Sequence, residues 1–264
     1  MMEIQMNSIY TEGEIVEFNE RYTIYANPSR PLAYDANKWV YHQMPDPLTL
    51  KADMLQQQVM HQKIGAAHLQ FEFPENVKPK PSMMQFLRAQ GFQLGCLELY
   101  VIEANMLRQL KGKPIRMIRV TTNHVEDFLQ VATPLNLPFG EDYAAEFSDA
   151  VRKHVELGER PLNYYVAYLV DQPVGILNLI EKEGTVEIDG FAVAEKYRGQ
   201  GIGSSMQAKV GEIAGKRPVI LVADAEDTAK EMYIKQGYTY VSFQYSALKE
   251  HIDAHPSESA DLHI

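Results

Sequence analysis

Arg198-Gly199-Gln200-Gly201-Ile202-Gly203 packs three glycines into six residues. The run lies between an apolar stretch ending at Val193 and a segment with apolar residues at Ile202, Met206, Val210, Ile213 and Ala214. That second spacing marks one helix face, so the glycines sit where a strand gives way to a helix. Glycines remove side chains where the backbone bends tightly. They leave main-chain N–H groups free to face an anion, and the helix start adds the positive end of its dipole. Ser204 and Ser205 add hydroxyl donors. A pyrophosphate fits such a loop; a bare helix start would use the same residues. Two nucleotide loops are excluded. A Walker loop needs Gly-Lys-Ser/Thr, and Gly203-Ser204-Ser205 lacks the lysine. A dinucleotide fingerprint needs G-x-G-x-x-G in a parallel βαβ setting, and neither the spacing nor the setting agrees.

The setting is antiparallel. Residues 164–170, 174–180 and 186–193 are β-like, with short polar turns at Asp171-Gln172-Pro173 and at 181–184, which suits hairpins. Upstream, Asn123 and Glu126 offer a capping box for a helix through Phe128 and Leu129. A second helix is predicted over 142–157, with Tyr143, Phe147, Val151 and Val155 on one face. Downstream come a buried-type strand at 219–223, a helix opened by a Thr228/Glu231 box and closed by Gly237, and a last strand from Tyr238.

With these residues in place, the run 186–238 resembles the GNAT superfamily of acetyl-CoA-dependent N-acetyltransferases. That family's phosphate loop is Gln/Arg-x-x-Gly-x-Gly/Ala, matched by Arg198, Gly201 and Gly203. Phe191-Ala192-Val193 and Glu195-Lys196-Tyr197 resemble its usual approach to the loop. The segment from Ala229 through Tyr233 and Gly237 to Tyr238 is similar to its second motif, Ala-x-x-Leu-Tyr-x-x-x-Gly-Phe. The resemblance covers about residues 116–248. It implies an α+β fold with a mixed sheet flanked by helices.

The resemblance also implies roles. Backbone groups of Phe191, Ala192 and Val193 would hold the pantetheine arm of acetyl-CoA. Amides of Arg198, Gly199, Gln200, Gly201, Ile202, Gly203 and Ser204 would hold the pyrophosphate. Tyr233 would protonate or hydrogen-bond the departing thiolate. Many members carry an Asn seven residues before this Tyr that touches the coenzyme; here Glu226 stands there, and a carboxylate lacks the amide's donor. An alkyl ammonium with a pKa of roughly 10 must lose a proton before it attacks a thioester, so a carboxylate is useful, directly or through water. Glu187 and Asp189 share one face of their strand and are the candidates, and some members place a basic glutamate at the point of Glu187. Amides near Phe191 and Val193 would polarise the carbonyl.

Charge narrows the acceptor. The formal net charge is −10. Residues 1–115 hold 11 basic and 12 acidic residues; residues 116–264 hold 14 and 23, a balance of −9. Such a surface repels phosphate backbones, so nucleic acid is not an expected partner, and it favours a cationic small molecule. Cys96 is the only cysteine, which rules out an intrachain disulfide and a multi-cysteine metal site and suits a small buried strand residue. His251 and His255 lack a third ligand, so no metal is expected. No apolar run approaches the roughly 20 residues of a membrane helix. The N-terminus, MMEIQMNSIYTEGE, lacks the basic and apolar parts of a signal peptide, and the cytoplasm is the expected location.

The first half is plainer. Strands are predicted at 22–25, 38–42, 69–73 and 93–102, with helices at 48–64 and from 82 to Gly91. Gln90-Gly91-Phe92 echoes Gln236-Gly237-Tyr238, each trio ending a helix and opening a β-rich stretch. If the halves are duplicates, the chemistry of the first is lost: no Arg-x-x-Gly-x-Gly run precedes 69–73, and Leu87 takes the place of Tyr233. It would then cover the acceptor pocket or form a homodimer contact. The basic segment Leu107 to Met117 reads as the junction. The expected layout is an α+β domain over 1–115, a transferase domain over 116–250 and a polar tail over 251–264. The expected reaction moves an acetyl group from acetyl-CoA to a primary amine by direct attack. A non-catalytic acyl-CoA-binding module, or transfer to a hydroxyl or thiol, is the alternative.

Overall fold

A computed structural model of the chain describes residues 4–158, 161–226 and 229–252. Thr228, His255 and the rest of the tail from 253 lie outside these residues. The elements in order are β1 (Glu14–Phe18), β2 (Tyr22–Ala26), β3 (Lys38–Tyr41), α1 (Pro47–Ile64), β4 (His68–Glu72), α2 (Pro81–Ala89), β5 (Gln93–Ile102) and α3 (Ala104–Leu107). There follow β6 (Arg116–Arg119), α4 (Val125–Asn136), α5 (Glu141–Leu157), β7 (Leu162–Leu169), β8 (Gln172–Glu181), β9 (Val186–Val193), α6 (Ile202–Ala214), β10 (Val219–Asp224), α7 (Ala229–Gln236) and β11 (Thr239–Glu250). Among the described residues no helix is long and apolar enough to cross a membrane, and no group of His, Cys, Asp and Glu could hold a metal ion.

Two compact units emerge. The first holds residues 4–10 and Leu97–Ser242; the second holds Thr11–Cys96 and residues 243–252. They do not divide at 115/116, where the sequence places the boundary. The reason is strand pairing: residues 97–102 of β5 run antiparallel to β10, from Val219↔Ile102 to Asp224↔Leu97. In the second unit β4 likewise pairs with residues 246–250 of β11. Each unit thus takes in the later part of the strand that follows the helix–Gly–aromatic turn of the other half.

In the first unit the strand order is β5-β10-β9-β8-β7-β6. The hairpins β7/β8 and β8/β9 are antiparallel, as the turns predict. Alternation along β7 and β8 sends Tyr165, Ala167, Leu177 and Leu179 into one core with Ile202, Met206 and Val210 of α6. It sends Tyr164, Val166, Ile176 and Ile180 into another with Phe128, Leu129 and Val151 of α4 and α5. The Asn123 capping box does not form. His124 is the N-cap of α4 and makes no side-chain cap bond, and Glu126 reaches Arg152 of α5 instead, 2.9 Å away.

The second unit repeats the path. β3, α1, β4, α2 and β5 follow one another as β9, α6, β10, α7 and β11 do. Both β3/β4 and β9/β10 are parallel pairs, each held at only two positions. Phe92 N donates to Leu87 O at 3.0 Å, and Tyr238 N donates to Tyr233 O at 3.1 Å. The two helix ends therefore close by the same bond, which sets Leu87 opposite Tyr233 in the repeat. This shared path is what a duplicated half-fold gives. Leu87 is fully buried beside Trp39, Phe71 and Phe73.

One buried pair in the second unit is sensitive to acid. His61 Nδ1 donates to His68 O at 2.6 Å, and the two rings lie 4.6 Å apart. Burial, with His68 beside it, holds His61 down to about 4, and burial also lowers His68. A depressed histidine favours the neutral form in the fold. Its stabilisation is present above the unfolded value near 6.5 and is lost as pH falls toward 4, a cost of about 3 kcal/mol for His61. The thermal midpoint should fall across that window. His61→Gln, which keeps an N–H for the carbonyl but cannot charge, should show a shallower fall; an identical slope contradicts the assignment.

Candidate active site

The glycine loop ends in a left-handed residue. Gly201 has φ +78° and is the N-cap of α6, with no side chain capping the helix. Ser205 N donates to Gly201 O at 3.2 Å, which leaves the amides of Ile202, Gly203 and Ser204 without an acceptor inside the helix. Gly199 also has a positive φ, and a Cβ there would meet nothing within 4 Å. Arg198 Nε donates to Val193 O at 3.0 Å and folds the loop back onto the end of β9. Arg198, Gly199 and Gln200 are exposed. Ser205 departs from expectation: its hydroxyl donates to Lys113 O at 2.7 Å, so it serves the junction segment.

The strands beside the loop part company. β9 and β10 pair only through Val186↔Val219 and Glu187↔Ile220. The register of β8 against β9 then slips between Ile176 and Asn178, and Gly190 at that bulge has φ +52°. A Cβ on Gly190 would fall 2.7 Å from Asn178 Nδ2. Bulges re-aim main-chain groups next to sites, and this one turns the backbone at Phe191. Phe191 and Val193 are half-buried, 3.5 and 3.8 Å from where a Cβ of Gly203 would stand.

The two carboxylates fare differently. Glu187 is 3% exposed, and its Oε2 accepts from Tyr10 N at 2.8 Å. Asp189 is exposed, and its Oδ2 accepts from Asn178 Nδ2 at 3.0 Å. Tyr233 is half-buried on α7. Its ring lies 6.5 Å from Tyr100 and meets Tyr238 edge-on at 5.4 Å. The Tyr100 hydroxyl donates to Glu98, whose carboxylate also takes Lys230 Nζ at 2.8 Å. Those two hydrogen bonds outweigh burial and lower the Glu98 carboxyl. Burial, reinforced by Glu98, raises Tyr100 well above the usual phenol range. Glu226 is exposed, and its N–H closes a turn on Asp224 Oδ1 at 2.8 Å.

The structure thus gathers the loop, the bulged strand and Tyr233 in one unit. Tyr10, Asn178, Lys113 and the Glu98–Tyr100 pair escape a sequence reading. Tyr10 lies 177 residues from Glu187, and no local pattern joins them. Only the Gly-Lys-Pro of 112–114 carried a signal, and it reads as a linker.

Residues 160–240 match the family model of the acetyltransferase (GNAT) domain. This match identifies the region that carries the glycine loop and Tyr233 as a GNAT-type domain. Residues 4–100 match a domain of unknown function (DUF5613). A functionally unknown conserved protein from Staphylococcus epidermidis is 42% identical, with a TM-score of 0.90 over 95% of this chain and 99% of that one, and the two are members of one family. A GCN5-related N-acetyltransferase from Kribbella flavida is similar in fold at 15% identity and a TM-score of 0.57, over 90% of this chain and 89% of its own. Another from Sphaerobacter thermophilus gives 16% and 0.52, over 90% and 83%. A comparison with curated proteins finds no match.

The burial of Glu187 in this GNAT domain gives a test. Glu187→Leu leaves the Tyr10 amide without its acceptor and should cost about 1–3 kcal/mol. Glu187→Gln keeps an oxygen there and should cost less. Equal denaturant midpoints for both variants would remove the assigned bond.

Proposed function

We propose that the GNAT domain moves an acetyl group from acetyl-CoA to a primary amine of a small cationic molecule by direct attack. The observation that carries the reading is the uncapped start of α6 beside strands that part after two pairs. The first offers donors to a pyrophosphate. The second leaves the edge of β9 open to an extended arm, which main-chain groups of Phe191, Ala192 and Val193 would hold as a further strand would. When bound, acetyl-CoA supplies the activated acyl group. Arg198 to Ser204 bind its phosphates. The excess of acid over base in residues 116–264 supports a cationic acceptor.

Asp189 is the base in this reading. Its exposure lets it take a proton from a solvated ammonium, directly or through a water, whereas Glu187 is buried and committed to Tyr10. Amides turned by the bulge at Gly190 polarise the acyl carbonyl. Tyr233 donates its proton to the leaving sulfur, and Tyr100 and Tyr238 hold its ring. Glu226 closes a backbone turn on Asp224 and offers no side-chain amide where the family usually has one.

An amine panel read by release of free CoA should identify turnover; mass analysis of the product shows whether nitrogen carries the acetyl group. Asp189→Asn should lower kcat/KM about 100-fold near neutrality, and the deficit should shrink as pH nears the amine's own pKa. A pH-independent deficit contradicts a base role. Tyr233→Phe should slow kcat while leaving acetyl-CoA affinity within about twofold.

Gly203→Asp tests the loop. It sets a carboxylate among the open amides and should raise the Kd for acetyl-CoA more than about 100-fold while sparing the fold. Unchanged binding removes the loop from the site.

A further inference from the structure

We propose that Lys113, from the segment between α3 and β6, binds the coenzyme's pyrophosphate beside the glycine loop; the inference rests on the function proposed above. The segment is not a free linker. Gly112 lies against the loop so closely that a Cβ on it would stand 2.1 Å from Gly201 O and 2.4 Å from Ser205 Oγ. Conversely, a Cβ on Gly201 would stand 3.2 Å from Gly112 Cα. The Ser205 hydroxyl clamps the next residue by donating to Lys113 O at 2.7 Å. Pro114 follows and restricts the backbone of Lys113 to extended conformations. Three constraints therefore fix where the lysine leaves the main chain.

Its ammonium reaches the loop itself. Lys113 Nζ donates to Gln200 Oε1 at 2.9 Å, and Gln200 Nε2 in turn donates to Lys196 O at 3.2 Å. Gln200 is the residue just before Gly201, at the mouth of the open amides. An ammonium has three donors, so one bond to a neutral amide leaves capacity for a phosphate oxygen. The charge-assisted bond to phosphate is the stronger of the two.

Charge favours a further cation beside the motif. Residues 116–264 carry a balance of −9, which opposes a polyanionic coenzyme. Lys113 precedes that stretch in sequence and is delivered to the loop by the Gly112 contact. A lysine docked in this way offsets the surrounding acid where the phosphates sit.

The test is calorimetric titration of the full chain with acetyl-CoA and with 3′-dephospho-acetyl-CoA. Lys113→Met should raise the Kd of both about 10-fold at low salt, and the loss should fade at high salt. Lys113→Arg should bind within about twofold of the parent. Lys209→Met removes a cation on α6 itself, one paired with Glu212 at 2.8 Å, and should bind as the parent does. Unchanged affinity of Lys113→Met overturns the inference and leaves the proposed function standing. A loss confined to acetyl-CoA also overturns it, because the contact would then be the 3′-phosphate. If the parent binds neither compound, the proposed function fails first and takes the inference with it.

Discussion

The unmet hydrogen-bonding demand at the start of α6 is the constraint on which the site depends. Every helix begins with amides that lack in-helix acceptors, and most chains satisfy them locally. The two halves of this chain solve the problem in opposite ways on the same path. At α1, Asp46 Oδ1 accepts from Leu48 N and Thr49 N at 2.9 and 3.1 Å, and Pro47 removes one donor altogether. A carboxylate fills the place an anion would take, and the Thr49 hydroxyl and the amides hold it below its ordinary range. At α6 a left-handed glycine stands where Asp46 would, and no side chain turns back. The two helix starts thus differ in one respect, a carboxylate meeting the amides of α1 and no side chain meeting those of α6.

A second constraint follows from sheet geometry. The parallel pair β9/β10 ends after two positions, so the sheet opens where the loop begins. The same short pairing at β3/β4 leads to a core filled by Trp39, Tyr41 and Phe71, all nearly or fully buried. In the first unit the bulge at Gly190 and the half-buried Phe191 stand there instead. Opening, bulge and uncapped helix are adjacent because one strand leads directly into one loop.

Much of this was legible in the sequence for a physical reason. Glycine at positive φ and helical apolar spacing are local requirements, and local requirements leave local patterns. The loop, the hairpins at β7–β9, α6, and the matched ends of α2 and α7 were therefore readable. What failed depended on distant partners. The Asn123 box lost to Glu126 pairing with Arg152, 26 residues on. The unit boundary moved because β5 and β11 each give residues to both units, which no composition shift signals. Glu187 and Asp189 looked equivalent on one strand face until Tyr10 separated them. The strand β1 leaves no sequence signal because every residue of Glu14–Phe18 is exposed, with no buried alternation.

The most direct measurement is the amide spectrum of the protein, recorded residue by residue as CoA is added. A coenzyme held at the start of α6 gives the largest shifts at Gly199 to Ser205, with the amides of Leu48 and Thr49 unmoved because Asp46 already holds them. Shifts that leave Ile202, Gly203 and Ser204 untouched while CoA binds elsewhere would contradict it.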